Sequence, residues 1–310
     1  MGERGQPPPP PPTGERIDFT AERARHAGFV GREGLLARLD QLLVEDRADR
    51  WVVVTGGPGM GKSAVLSAWL ERRERAGAVV PHHFIRRGEY DWDDPVKLAG
   101  SLVAQLDERF PEAREPEGDV RMHPAARLDA ALRRVSEHAL IPLGERLVVL
   151  IDGLDEYDPP EDLRGRDPLA VFLPGALPRS VSLVCASRPR HPYVDMLATR
   201  GAVQIDLDDE AEFAADNEAT VRAFWDQAAP ELGLDARFVA EAVASAAGNL
   251  QHAAMLRQHL TGVLACAVTP DGRYVVSASA DRTLKVWDLA SGRELATLQG
   301  ALHVNLTPAL

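Results

Sequence analysis

Gly56-Gly57-Pro58-Gly59-Met60-Gly61-Lys62-Ser63 stands between a short apolar β-rich run, residues 51–55, and an amphipathic stretch, residues 63–75. These eight residues fit G-x-x-x-x-G-K-[ST], and the strand-then-helix setting is what gives that pattern meaning. Glycines let successive backbone N–H groups turn inward as an anion cradle, and the helix that follows points its positive end at the same place. Lys62 is then placed to reach the outer phosphates of a nucleotide, and the Ser63 hydroxyl to coordinate Mg2+. The chain holds only three lysines, Lys62, Lys97 and Lys285, so a pattern that insists on lysine is hard to meet by chance.

On either side of this loop, β-rich runs at 82–85, 147–151, 181–186 and 203–207 alternate with amphipathic stretches at 34–44, 95–110 and 124–139. Strands spaced by helical patterns make βαβ units and a parallel sheet. Leu147-Val148-Val149-Leu150-Ile151 is apolar without alternation, as a central strand covered on both faces should be. Residues 210–258 lack a strand signal and read as helices, among them 220–228 and 236–247, whereas 263–269, 273–279, 283–289 and 294–299 are short β-runs separated by turn residues such as Pro270-Asp271-Gly272. The expected fold is therefore α/β: a P-loop parallel sheet flanked by helices, a small helical lid and a short C-terminal antiparallel β-meander. The expected organisation is a disordered proline-rich tail over 1–27, a P-loop domain over 28–209, the lid over 210–258, the meander over 259–300 and an unstructured tail over 301–310.

A P-loop needs a metal-holding acid at the end of a neighbouring strand. Asp152, directly after five apolar residues, is the candidate for Mg2+, and Asp155 and Glu156 offer carboxylates near the terminal phosphate as general base. Read alone, the same acidic cluster could simply cap a strand and solvate a loop. The run 181–186 ends at Ser187-Arg188-Pro189-Arg190, where an arginine at a strand tip can contact that phosphate. Arg188 is the choice and Arg190 the second, against the plain reading of a surface arginine.

The 310 residues carry 35 Lys plus Arg against 47 Asp plus Glu, a formal charge of −12, which argues against a general nucleic-acid partner because that needs a basic footprint. Cys185 and Cys266 sit in apolar runs and read as buried thiols of a reducing, cytoplasmic compartment. No apolar run approaches the length that spans a bilayer, and no membrane partner is expected.

Taken together, Phe29-Val30-Gly31-Arg32-Glu33, the P-loop, the Asp152-Gly153-Leu154-Asp155-Glu156 box and the Ser187-Arg188-Pro189 tip resemble the signal-transduction NTPases of the NACHT and AAA-like STAND group. The resemblance covers residues 28–258. It implies that Val30, Gly31 and Arg32 line the adenine pocket, that Asp155 is the catalytic base with Glu156 second, that Arg188 is the phosphate sensor, and that ATP or ADP binds with Mg2+. Gly248-Asn249-Leu250-Gln251-His252-Ala253 resembles the end of that family's lid, which packs on the nucleotide. From His259 onward the chain resembles one WD repeat, with His259, Asp281 and Trp287-Asp288 at the repeat's spacing as fold residues rather than catalytic ones.

The function expected from these readings is an ATP-binding regulatory NTPase whose slow hydrolysis drives a nucleotide-dependent assembly switch, with a homo-oligomer or protein partner. The rivals are a nucleotide-stabilised scaffold without turnover and a P-loop kinase acting on a small acceptor.

Overall fold

The computed structural model describes residues 16–26, 31–45, 50–88, 91–114, 122–159, 167–234, 236–246, 248–258, 263–279, 283–289 and 294–299. The proline run 7–12, Val30, His259, Asp281 and the segment 301–310 lie outside the described residues. The chain divides into two compact units. Residues 33–56 and 62–207, with the described N-terminal residues, form one; Gly31 and Arg32, the loop 57–61 and the chain from Asp208 form the other.

In the first unit five strands, β1 (Trp51–Thr55), β2 (His82–Phe84), β3 (Leu147–Asp152), β4 (Val181–Ser187) and β5 (Val203–Asp206), make a wholly parallel sheet in the order β2-β3-β4-β1-β5. β1, β3 and β4 are buried along their whole length, which is why they read as unbroken apolar runs. The helices are α1 (Thr20–Ala24), α2 (Glu33–Asp40), α3 (Lys62–Arg75), α4 (Pro95–Arg109), α5 (Pro124–Val135), the short α6 (Ile141–Leu143) and α7 (Pro192–Thr199). Asp94 starts α4 by accepting from the Val96 and Lys97 N–H groups, satisfying donors that a helix start leaves open. Side chains alternate across each strand. Trp51, Val53, Val149, Ile151, Leu183 and Cys185 share one core with Leu98, Leu102 and Leu106 of α4 and Leu128 and Leu132 of α5. On the other face α3 packs against β3 and β4, with Val65, Leu66, Trp69 and Leu70 fully buried.

Residues 16–26, which the sequence reading placed in the tail, belong to this unit. Phe19 is 2% exposed and packs with Phe84 and Trp92, the ring centroids 5.3 and 4.9 Å away, while the Ile17 N–H donates to Ser101 Oγ. One aromatic among charged neighbours gives no periodicity, so its burial was not legible in the local sequence.

In the second unit α8 (Glu210–Leu232), α9 (Ala236–Ala246) and α10 (Leu250–Gln258) pack around Val221, Trp225, Val239, Val243 and Ala253. Four strands, β6 (Val263–Val268), β7 (Tyr274–Ser279), β8 (Thr283–Asp288) and β9 (Glu294–Gln299), form an antiparallel meander in sequence order. Trp287, 1% exposed, donates from Nε1 to Ser277 Oγ at 2.8 Å. The Pro270-Asp271-Gly272 turn is closed by the Gly272 N–H donating to Thr269 O. Cys185 is buried, as expected, but Cys266 is exposed, because β6 is an edge strand whose residues 265–268 all face solvent.

Candidate functional site

Because β1 to β4 run parallel, their carboxyl ends share one edge of the sheet, where open α/β sheets gather their functional loops. Thr55 pairs with Ser187, and Phe84 with Asp152, so the segments that follow these strands begin side by side. Three of them carry the candidate chemistry of the first unit. Gly56 opens the glycine-rich loop after β1, Lys62 and Ser63 begin α3, Asp152 ends β3, and Arg188 follows β4. Lys62 Nζ bends back to donate to Gly56 O at 2.6 Å.

Asp152 is 1% exposed, and its Oδ1 is buried and accepts no hydrogen bond. Buried carboxylate oxygens are normally satisfied. A buried carboxylate with one oxygen partnerless and the Ser63 hydroxyl are donors of the kind a hard divalent cation takes, and a single nitrogen reaches both residues. Ser63 and Asp152, the two residues expected to hold Mg2+, are thus brought together.

The residue that joins them is Arg86, two positions past β2 and absent from the sequence reading. Its Nη2 donates to Asp152 Oδ2 at 2.8 Å, lies 3.4 Å from Ser63 Oγ and donates to Glu22 Oε1 at 2.7 Å. Its Nε also donates to Glu22 Oε1, at 2.9 Å, and its Nη1 to Glu156 Oε1 at 3.2 Å and Ile85 O at 2.8 Å. Burial opposes the charged guanidinium, but Asp152, Glu156 and Glu22 outweigh it and hold Arg86 above the ordinary arginine range. Burial also works against ionised Glu22. Hydrogen bonds from His26 and Arg86 and the charges of Arg86 and Arg25 overcome it, lowering its pKa to about 2. Gly153 lets the two strand ends approach: its φ is +79°, and a Cβ there would stand 2.6 Å from Ile85 O and 2.8 Å from Arg86 Nη1.

Asp155 and Arg188, expected as base and sensor, are paired with each other. Asp155 Oδ2 lies 2.9 Å from Arg188 Nε, and its Oδ1 accepts the Arg188 N–H at 3.1 Å. Glu156, the second choice for base, is pushed up to about 7, chiefly by burial. Arg86 opposes that rise, and Asp152 and Asp155 add to it. That pKa matches proton transfer near neutral pH, and Arg86 engages Glu156 as Arg188 engages Asp155. Arg190, the alternative sensor, lies in the turn after β4 with φ +58°.

In the second unit, the remaining loop residues Gly57, Pro58, Gly59, Met60 and Gly61 are gripped by the helical segment. Asn249 Nδ2 donates to Pro58 O at 3.0 Å, the Gln251 N–H to Gly59 O at 3.2 Å, and the Gly57 N–H to Asp208 Oδ2 at 2.8 Å. Asn249 also caps α10, its Oδ1 accepting the His252 N–H. Gly59 has φ +80°, and an added Cβ would meet Asn249 Oδ1 at 2.6 Å. Arg32 is 1% exposed: its N–H donates to Thr220 Oγ1 and its Nη2 to Met60 O at 2.7 Å, while Nε and Nη1 are buried without partners. Burial lowers its pKa against the attraction of Asp216 and Asp208. A cavity of about 520 Å³ opens among Met60, Asp208, Asn217, Arg222, Val243 and Gly248. Gly31 and Arg32, expected to line the adenine pocket, do not line this cavity; Arg32 contacts Thr220 of α8 and Met60 of the loop.

Residues 28–173 match the family model described as AAA ATPase domain, and residues 250–288 match WD domain, G-beta repeat. Residues 250–258 of the second match form helix α10 here, and its strands begin at Val263. Over 56 residues the chain is 43% identical to Dynein assembly factor with WD repeat domains 1 of Mus musculus, and equally to that of Xenopus laevis. The stretch is 18% of this chain and spans only 13% of those proteins. Among solved structures, the Aeropyrum pernix ORC1 protein in complex with DNA matches with 18% identity and TM-score 0.44, over 74% of this chain and 59% of that one. Cdc6p from Pyrobaculum aerophilum matches with 14% identity and TM-score 0.36, over 67% of this chain and 52% of that one. The family matches make residues 28–173 similar to AAA-type ATPase domains and residues 250–288 similar to a WD repeat.

Proposed function

We propose that this chain is a regulatory ATPase of the signal-transduction, STAND-like kind, which binds ATP with Mg2+, turns it over slowly and uses the nucleotide state to control assembly. The observation that carries the reading is that Ser63, directly after Lys62, and buried Asp152, whose Oδ1 is left without a partner, are both within reach of one nitrogen of Arg86.

In this reading the N–H groups from Gly59 to Ser63 bind the phosphates and Lys62 offsets their charge. Ser63 and Asp152 would hold Mg2+, which would supply further neutralisation of the phosphate charge. Glu156, poised near neutrality, accepts the proton of the attacking water; Asp155 orients Arg188 through the two contacts described above. The WD repeat offers the surface for a protein partner. No nucleic-acid or membrane partner enters the reading. Among the described residues no helix is long and apolar enough to cross a membrane.

One observation favours the scaffold reading, in which nucleotide is held without turnover: Asp155 is occupied by Arg188. Phosphate release separates the two. The ATPase reading expects slow release with Mg2+-ATP that Glu156→Gln abolishes, whereas release equal in both proteins, or none in either, supports the scaffold. The assembly claim is tested by mass in solution with ADP and with a non-hydrolysable ATP analogue. A change of mass supports it, and equal masses refute it.

A further inference from the structure

The Arg86 guanidinium lies among the ligands that the preceding reading assigns to Mg2+. Its Nη2 is 2.8 Å from Asp152 Oδ2 and 3.4 Å from Ser63 Oγ. A Mg2+ ion needs oxygen ligands at about 2.1 Å in octahedral array. A nitrogen at hydrogen-bond distance from both oxygens and a metal ion bound to them compete for the same small volume.

Three carboxylates, from Glu22, Asp152 and Glu156, reach the Arg86 guanidinium, whose side chain is 13% exposed, and Glu22 is shared with Arg25. Arginine keeps its charge, so a metal ion enters only where the guanidinium gives up Asp152. Glu22 supplies the means, because it holds Arg86 through both Nε and Nη2, independently of Asp152. Glu22 lies on α1, in the N-terminal segment that Phe19 anchors beside β2.

We propose that Arg86 is a built-in cation that occupies the Ser63–Asp152 site in competition with Mg2+, and that Glu22 is the acceptor that retains the guanidinium when the metal ligands are released. The proposal rests on the nucleotide reading above and adds its regulation: metal entry is opposed by one side chain and eased by another from the N-terminal helix. Shifts of α1 therefore change the metal requirement of nucleotide binding without touching the phosphate loop.

The test is ADP affinity titrated against Mg2+ for the full chain, for Arg86→Gln and for Glu22→Gln. ADP has no terminal phosphate, so an Arg86 contact to that group plays no part. Arg86→Gln is expected to lower the Mg2+ midpoint about tenfold, as removal of one charge-assisted hydrogen bond should. Glu22→Gln is expected to raise it, because Arg86 then settles on Asp152. Arg86→Gln leaves buried acids uncompensated and can cost stability, so Glu22→Gln, which keeps the guanidinium, carries the test where the first variant fails to fold. A midpoint unchanged in Arg86→Gln, or unchanged or lowered in Glu22→Gln, overturns the proposal. If the unaltered chain binds ADP with Mg2+ dependence and the midpoints do not move, only the competition falls. If it binds no nucleotide at any Mg2+ concentration, the nucleotide reading falls and the competition with it.

Discussion

Replacing Glu156 by glutamine should stabilise the protein at alkaline pH and hardly at all in acid. The carboxyl sits in the folded chain with a pKa near 7, raised from an ordinary 4.5 chiefly by burial, with Asp152 and Asp155 reinforcing the shift against Arg86. A group whose folded pKa lies above its unfolded one contributes stability below the unfolded value and loses it as pH rises through the folded one. For Glu156 the loss begins near pH 4.5 and is complete above pH 7. At 1.36 kcal/mol per unit, a shift of this size corresponds to about 3 kcal/mol at pH 8 and about 1 kcal/mol at pH 5. Its side chain is 26% exposed, so water screens part of the effect and these are upper values. Glutamine mimics the protonated carboxyl. The variant's advantage should therefore grow by about 2 kcal/mol between pH 5 and pH 8, about 4–8 °C in melting temperature for a domain of this size. Thermal unfolding of both proteins at half-unit steps of pH checks it. An advantage independent of pH, or one that shrinks as pH rises, refutes the reasoning about the burial of Glu156.

Two further substitutions test the second unit's loop contacts and the N-terminal segment. Gly59→Ala puts a Cβ at φ +80° and 2.6 Å from Asn249 Oδ1; the left-handed backbone alone costs about 1–2 kcal/mol. Nucleotide affinity should fall at least about tenfold by calorimetry, and unaltered affinity would mean that the grip of Asn249 on the loop is unimportant. Phe19→Ala empties a site 2% exposed among Phe84 and Trp92 and should cost about 3–5 kcal/mol in denaturant unfolding. A change below about 1 kcal/mol would return residues 16–26 to the status of a tail.

Much of the fold was legible because its signals are local. A strand covered on both faces has to be apolar throughout, so β1, β3 and β4 announce themselves, and the acid that ends β3 follows from its place after Ile151. The phosphate loop is a contiguous motif whose glycines and lysine serve backbone geometry and charge. Arg86 and Glu22 were not legible because their pairing spans 64 residues and arginine is abundant in this chain. A signal did exist for Arg86: it follows a strand end, as Arg188 does, and parallel strands gather such residues at one edge. The pairing of Asp155 with Arg188 escaped for another reason. Sequence assigns roles by residue type, whereas the fold decides that Asp155 meets Arg188 and Glu156 meets Arg86. The contact of the Arg32 guanidinium with Met60 O, 28 residues away, was likewise not legible in the local sequence.

The measurement that bears most directly on the account is calorimetric titration of ATP and ADP, with Mg2+, into the chain and into Lys62→Ala. The account predicts one nucleotide per chain and a loss of affinity of at least about a hundredfold in the variant, the effect of removing a charge-assisted contact to a phosphate. Equal affinity in the two proteins, or no binding by the unaltered chain, contradicts it.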